Sequence, residues 1–182
     1  LELMDNVTLP LGSHTITVGE RYEYNKFLND FEQRVFGAYK FNSIEDYANS
    51  VPLTYSVGFS NGAALAARFR TNMYSTYAQD QWSAGHGVTL TYGVRVDVPN
   101  MPDTPPENTQ IAQLFAARGL DVNTATKPKS RPLFSPRAGF NWDVLGNQTF
   151  QLRGNAGLYT GQPPYVMLGN AYQNSGMQLV FL

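Results

Sequence analysis

Hydrophobic positions recur at every second residue along this chain, in runs separated alternately by short and long connections. Between His14 and Lys26 the even positions include Ile16, Val18, Tyr22 and Tyr24, against Thr15, Thr17, Gly19, Arg21, Glu23 and Asn25. From Val88 to Val98 the alternation is cleaner: Val88, Leu90, Tyr92, Val94, Val96 and Val98 face Thr89, Thr91, Gly93, Arg95 and Asp97. Pro136, Ala138, Phe140, Trp142 and Val144 alternate with Ser135, Arg137, Gly139, Asn141 and Asp143. Phe150, Leu152, Gly154, Ala156 and Leu158 alternate with Thr149, Gln151, Arg153, Asn155 and Tyr159. Leu1, Leu3, Val7 and Leu9 share a parity, and Arg68 to Trp82 is noisier, with Phe69, Met73 and Tyr77 on one side. The pattern predicts six strands, about 1–9, 14–27, 67–82, 88–98, 135–144 and 149–160.

Short turns rich in Gly and Asn join these strands in pairs, at Pro10–Ser13, Ala84–Gly87 and Leu145–Gln148. Long connections, about 31–66, 99–134 and 161–176, join one pair to the next. They carry helical signals. Ser43 precedes Glu45 and Asp46 as an N-cap would. Ile111, Leu114 and Phe115 stand at helical spacing before Gly119, while Pro99, Pro102, Pro105 and Pro106 keep the preceding segment extended. The expected fold is all-β: antiparallel up-and-down hairpins with one elaborated end, in a single domain spanning 1–182.

Run length then narrows the class of sheet. Strands of soluble sandwiches average about 5 to 6 residues, whereas these runs reach roughly 10 to 13, the length of a tilted strand crossing a bilayer. The polar parity carries Arg21, Arg95, Arg137 and Arg153 mid-strand. A membrane barrel tolerates such charge on the face lining its lumen and turns the apolar parity to lipid. Composition agrees: charged residues are 15% of the chain and aromatic residues 13%, against roughly 25% charged in soluble domains. A net charge of −1 gives no general attraction to nucleic acid, and none is expected as a partner. With 0 cysteines, thiol catalysis and Cys-ligated metal sites are excluded.

Several strings resemble TonB-dependent outer-membrane transporters. Tyr77-Ala78-Gln79-Asp80-Gln81-Trp82 followed by Leu90-Thr91-Tyr92-Gly93-Val94-Arg95-Val96-Asp97 is similar to a hairpin of that family. Ser135-Pro136-Arg137-Ala138-Gly139 and Arg153-Gly154-Asn155-Ala156-Gly157 resemble the strands that follow it. The tail from Gln162 to Tyr172 is similar to the Oar-like branch, which carries a carboxypeptidase-regulatory-like domain. The resemblance implies a 22-stranded barrel with a plug, TonB coupling through that plug, and outer-membrane location in a Gram-negative bacterium. It implies import of an oligosaccharide, peptide or metal chelate, with outer-membrane lipid and a surface lipoprotein as further partners. No plug string is visible and the alternation is already running at Leu1, so an internal piece of such a barrel is expected. A passive porin-like barrel and a soluble β-sandwich binding module stay open as alternatives.

Candidate chemistry is sparse. No nucleophile elbow or phosphate-binding glycine loop occurs, so no enzymatic activity and no cofactor or metal is expected. His14 and His86 fall at turns and are expected to be solvated, as is the basic cluster Lys127–Arg131. Tyr159, Tyr165, Asn170 and Tyr172 flank one long connection and form an aromatic-amide mixture suited to ligand binding. Arg95, Asp97, Arg137, Asn141, Arg153 and Asn155 are assigned to the lumen side. Val88, Leu90, Tyr92, Val94, Phe140, Trp142, Phe150, Leu152 and Leu158 are assigned to lipid.

Overall fold

A computed structural model describes residues 1–31, 33–60, 66–177 and 179–181. Residues 32 and 61–65 of the first long connection, and 178 and 182 at the C-terminal end, lie outside the described residues. Strands β1 (Glu2–Leu11), β2 (His14–Asn29), β6 (Ala67–Gly85), β7 (Val88–Asn100), β8 (Leu133–Asp143) and β9 (Gln151–Gly157) form one sheet in the order β1-β2-β6-β7-β8-β9. β3 (Ala38–Lys40) pairs with β4 (Thr54–Ser56), and β5 (Gly58–Ser60) with β10 (Leu179–Phe181). The helices are α1 (Ile44–Ala48), α2 (Thr109–Ala116) and α3 (Tyr165–Gln173).

Neighbours in sequence are neighbours in the large sheet, and the pairs β1–β2, β6–β7, β7–β8 and β8–β9 are antiparallel. Between β2 and β6 the contacts His14–Trp82, Tyr22–Tyr74 and Phe27–Phe69 run in opposite directions, the mark of an antiparallel pair. The sheet is therefore an up-and-down meander.

The short turns owe their geometry to residues that accept a left-handed backbone. Gly12 has φ 64° and reverses the chain between β1 and β2. Gly85, His86 and Gly87 are all left-handed, at 85°, 49° and 74°, a run that glycines on both sides make affordable. The third connection is wider than the sequence implies. Asp143 Oδ2 accepts from the Gln148 amide at 2.9 Å, and Asn147 Oδ1 accepts from the Thr149 amide and hydroxyl. These local bonds hold Thr149 and Phe150 in the turn, so β9 starts at Gln151 and ends at Gly157 instead of running from 149 to 160. Phe150 and Leu158, expected within that strand, lie just outside it. β1, β2, β6 and β7 run past their predicted ends, to Leu11, Asn29, Gly85 and Asn100, whereas β8 starts earlier, at Leu133, and stops at Asp143.

The chain divides into two compact units, residues 1–25, 71–102 and 129–163, and residues 26–70, 103–128 and 164–182. In the first, the register puts two chemically opposite faces on the sheet. Leu9↔Ile16, Val7↔Val18, Trp82↔Leu90, Val88↔Trp142, Leu90↔Phe140 and Trp142↔Leu152 stand directly opposite each other and so share one face. This face is exposed: Leu3 is 59% accessible and Val7 54%.

The second unit has a small core of Ala67, Phe69 and Tyr172, against which Phe27, Tyr165 and Leu168 pack. Phe69 stacks on Tyr172 with ring centroids 4.8 Å apart, and Phe27 on Phe69 at 4.9 Å. Each ring pair contributes about 0.5–1.5 kcal/mol beyond its burial. Asn108 caps α2 by accepting from the Gln110 and Ile111 amides, and donates to the Ser175 carbonyl at 2.8 Å. Ser43 caps α1 through the Asp46 amide.

Candidate functional site

The polar face of the sheet in the first unit gathers most of the charged chemistry. Arg95, Asp97, Arg137, Asn141, Arg153 and Asn155 all lie on it: Asn141 stands opposite Arg153, Arg137 opposite Gly93, and Asn155 opposite Gly139. Two hydrogen-bonded clusters organise this face. In the first, Arg21 donates from Nε to Glu2 at 2.6 Å and from a terminal nitrogen to Glu23 at 2.7 Å. Asn25 and Gln162 also donate to Glu23, at 2.7 and 2.8 Å.

The second cluster is built on Asp97, which is 6% exposed. It accepts from Arg95 Nε at 2.8 and 3.1 Å, from Ser75 at 2.6 Å and from Thr160 at 3.1 Å. Arg95 also donates to Ser75 at 2.9 Å, and the Ser135 hydroxyl meets that of Thr160 at 2.9 Å. A carboxylate this far from water keeps its charge only when its acceptors are filled, and here a guanidinium and two hydroxyls fill them.

Large side chains on this face lie over glycines. A Cβ at Gly19 would sit 2.6 Å from the Tyr77 ring, so the ring needs bare backbone beneath it. The Tyr77 hydroxyl donates to Asn6, and Arg95 lies 5.9 Å from the ring centroid. Arg137 lies 5.7 Å from the Tyr159 ring, and Arg153 donates to Gln151.

The aromatic-amide residues do not form one surface. Tyr159, 68% exposed, belongs to the first unit beside Arg137, while Tyr165, Asn170 and Tyr172 belong to the second. Tyr172 is a packing residue: it is 6% exposed, stacked on Phe69, and its hydroxyl donates to the Asp103 carbonyl at 2.8 Å. Burial and the nearby Asp103 charge push its phenol up from the ordinary tyrosine range. Tyr165 packs on Phe27 at 4.6 Å. Asn170 is exposed on α3, with its side-chain oxygen accepting from Asn174. Asp103 is held below the usual carboxylate range chiefly by hydrogen bonds from Arg70, whose terminal nitrogen donates at 2.6 Å and whose amide donates at 2.7 Å.

His14 departs from the expectation of a solvated turn residue. Its Nδ1 lies 2.6 Å from Asp80 Oδ2, which also accepts from the Tyr92 hydroxyl at 2.7 Å. The imidazole stacks on Trp82 with centroids 5.6 Å apart and planes within 5°. This polar cluster sits on the otherwise apolar face, at the end of the sheet bearing the short turns. Sequence parity placed Tyr92 on this face but not the cluster it joins, because His14 and Asp80 are 66 positions apart. Tyr77, grouped by sequence with Phe69 and Met73 as an apolar parity, instead stands opposite Arg95 on the polar face, as Ser75 stands opposite Asp97, because β6 shows the weakest alternation; Thr160, beyond the end of β9, joins Asp97 there. No group of three side chains suited to a metal ion occurs among the described residues.

The model of one family, described as the outer membrane beta barrel domain, matches residues 1–181 of the chain. No curated protein matches it, and no solved structure does.

Proposed function

We propose, from the fact that this chain belongs to the outer membrane beta barrel domain family, that it forms part of the wall of an energised transporter whose lumen is the polar face. Membership makes it an outer-membrane protein of Gram-negative bacteria. The observation that carries the proposal is the segregation of the two faces. Arg21, Arg95, Arg137 and Arg153 all project from one side, the first two ion-paired. The other side presents Leu3, Val7, Val94, Phe140 and Leu152, all substantially exposed. Exposed aliphatic and aromatic side chains sharing one face of β1, β7, β8 and β9 suit lipid, and arginines gathered on the opposite face suit a hydrated lumen.

The coupling to TonB rests on the order of the strings Tyr77–Trp82, Leu90–Asp97 and Ser135–Gly139, which resemble consecutive strands of TonB-dependent transporters. In that reading the wall chain binds its ligand together with a plug, and TonB acts through the plug. The full-length protein in planar bilayers provides the test. A transporter with a seated plug holds no steady conductance and binds the periplasmic domain of TonB in a pull-down. A steadily open channel that ignores TonB would instead identify a passive pore.

A further inference from the structure

Arg137 stands on β8 directly opposite Gly93 of β7 and Gly157 of β9. Neither glycine has room for a side chain. A Cβ at 93 would lie 2.6 Å from the Ala78 carbonyl oxygen, and one at 157 would lie 2.9 Å from that of Pro136. Both obstacles are backbone atoms of paired strands, which cannot swing aside. Arg137 is therefore flanked by bare backbone on both neighbouring strands.

Beside it opens a concavity of about 220 Å³ whose lining includes Met4, Tyr77, Gln79, Gly93, Arg95 and Arg137. Two guanidinium groups and an amide border this space, and no carboxylate does. The carboxylate nearest in sequence on this face, Asp97, has its acceptors filled by Arg95, Ser75 and Thr160. Arg137 has no carboxylate partner among the described residues; its guanidinium faces the Tyr159 ring. Tyr77 is fixed by Asn6, so that wall of the space is preorganised.

We propose that this notch binds a carboxylate group, gripped by the Arg137 fork, with the Gln79 amide as a further donor and Arg95, neutralised by Asp97, forming its edge. A planar guanidinium matches a carboxylate through two parallel hydrogen bonds. The volume sets the size of the guest: drug-sized ligands occupy roughly 300–1,000 Å³, so this space takes a group of amino-acid size and excludes a bulky oligosaccharide unit. The proposal rests on the reading that the polar face lines the lumen. The carboxylate can be delivered by a soluble ligand or by an Asp or Glu of a polypeptide segment inside the barrel.

Arginine-specific labelling with phenylglyoxal separates these sources. Outer membranes containing the full-length protein are treated with the reagent, with and without glutarate as a soluble dicarboxylate, and modification is read at each arginine by peptide mass spectrometry. Arg153, on the same face, serves as the internal reference. The proposal expects Arg137 to react about tenfold more slowly than Arg153. Slowing without glutarate identifies a polypeptide carboxylate, and slowing only with glutarate a soluble one. Replacing Gln79 by Leu should then weaken the protection, as loss of a donor in the notch requires. Arg137 reacting at the Arg153 rate under both conditions overturns the notch while leaving the wall reading intact. Arg137 and Arg153 both staying inert until the protein is unfolded would overturn the hydrated lumen and the notch with it.

Discussion

Replacing Val94 by Arg puts the two-faced wall under its most direct energetic load. Val94 lies on the apolar face, opposite Ala78 and Pro136. It follows Val88, the first residue of β7, by six positions. At about 3.4 Å per residue that is roughly 20 Å along the strand, and a tilt of about 40° makes it roughly 15 Å along the membrane normal. The apolar band of such barrels is about 25 Å tall, and Trp82 and Trp142, opposite Leu90 and Val88, mark its lower girdle. Val94 thus sits near the midplane, where an arginine costs about 2–4 kcal/mol. At about 1.4 kcal/mol per tenfold, the folded-to-unfolded ratio should fall by about 30-fold to about 700-fold. Leu152 has the same parity but stands opposite Trp142 at the girdle, where the cost drops to about 0–1 kcal/mol. Thr91→Arg, on the polar face of the same strand, is the control. Urea unfolding of the full-length protein in lipid vesicles, followed by its heat-modifiable gel shift, measures all three. The order of damage should be Val94→Arg, then Leu152→Arg, then Thr91→Arg. Equal tolerance of Val94→Arg and Thr91→Arg would refute the assignment of the faces.

Gly93→Ala should destabilise more than Gly19→Ala, because the new Cβ at 93 meets the Ala78 carbonyl oxygen whereas at 19 it meets the movable ends of Asn6 and Tyr77; overpacking costs about 1–3 kcal/mol, and the same urea titration ranks them. Asn108→Ala removes the α2 cap and the bond to Ser175, so hydrogen exchange should accelerate at Gln110 and Ile111, with a cap worth about 0.5–2 kcal/mol. Asp103 is held below its unfolded value by Arg70, so its stabilising effect is present above about pH 4 and is lost as pH falls through the lowered folded value. Protection of the Arg70 amide, corrected for intrinsic exchange, should therefore decline on acidification, and Asp103→Asn should abolish that decline.

The alternation from Val88 to Val98 makes the faces legible, because Val88 to Asp97 are flanked by strands on both sides and each parity meets one environment. The turns were legible in Gly12, Gly85 and Gly87, whose left-handed backbones require glycine. Other features depend on partners distant in sequence. Tyr172 looks like an available aromatic until Phe69, 103 positions earlier, is seen stacked on it. His14 looks like a solvated turn residue until Asp80 and Trp82 arrive from another hairpin. α3 has no side-chain cap and holds a glycine, so its helical signal is weak. β9 ends at Gly157, the Leu158 amide makes one more bond to Pro136, and the Thr160 hydroxyl then reaches Asp97 and Ser135, contacts across strands that sequence does not show. Asn147 delays the start of β9 by a local bond that competes with pairing.

Spin labels placed singly at positions 88 to 98 of the full-length protein, in bilayers, test the central claim most directly. Collision with oxygen reports lipid, and collision with a neutral nickel chelate reports water. With Gly93 left unlabelled, because a Cβ there meets the Ala78 carbonyl oxygen, the two accessibilities should alternate out of phase with a period of two, oxygen dominating at 88, 90, 92, 94 and 96 and nickel at 89, 91, 95 and 97. Nickel dominating at 94, or an oxygen profile with no alternation along the strand, would contradict a wall with lipid on one face and a hydrated lumen on the other.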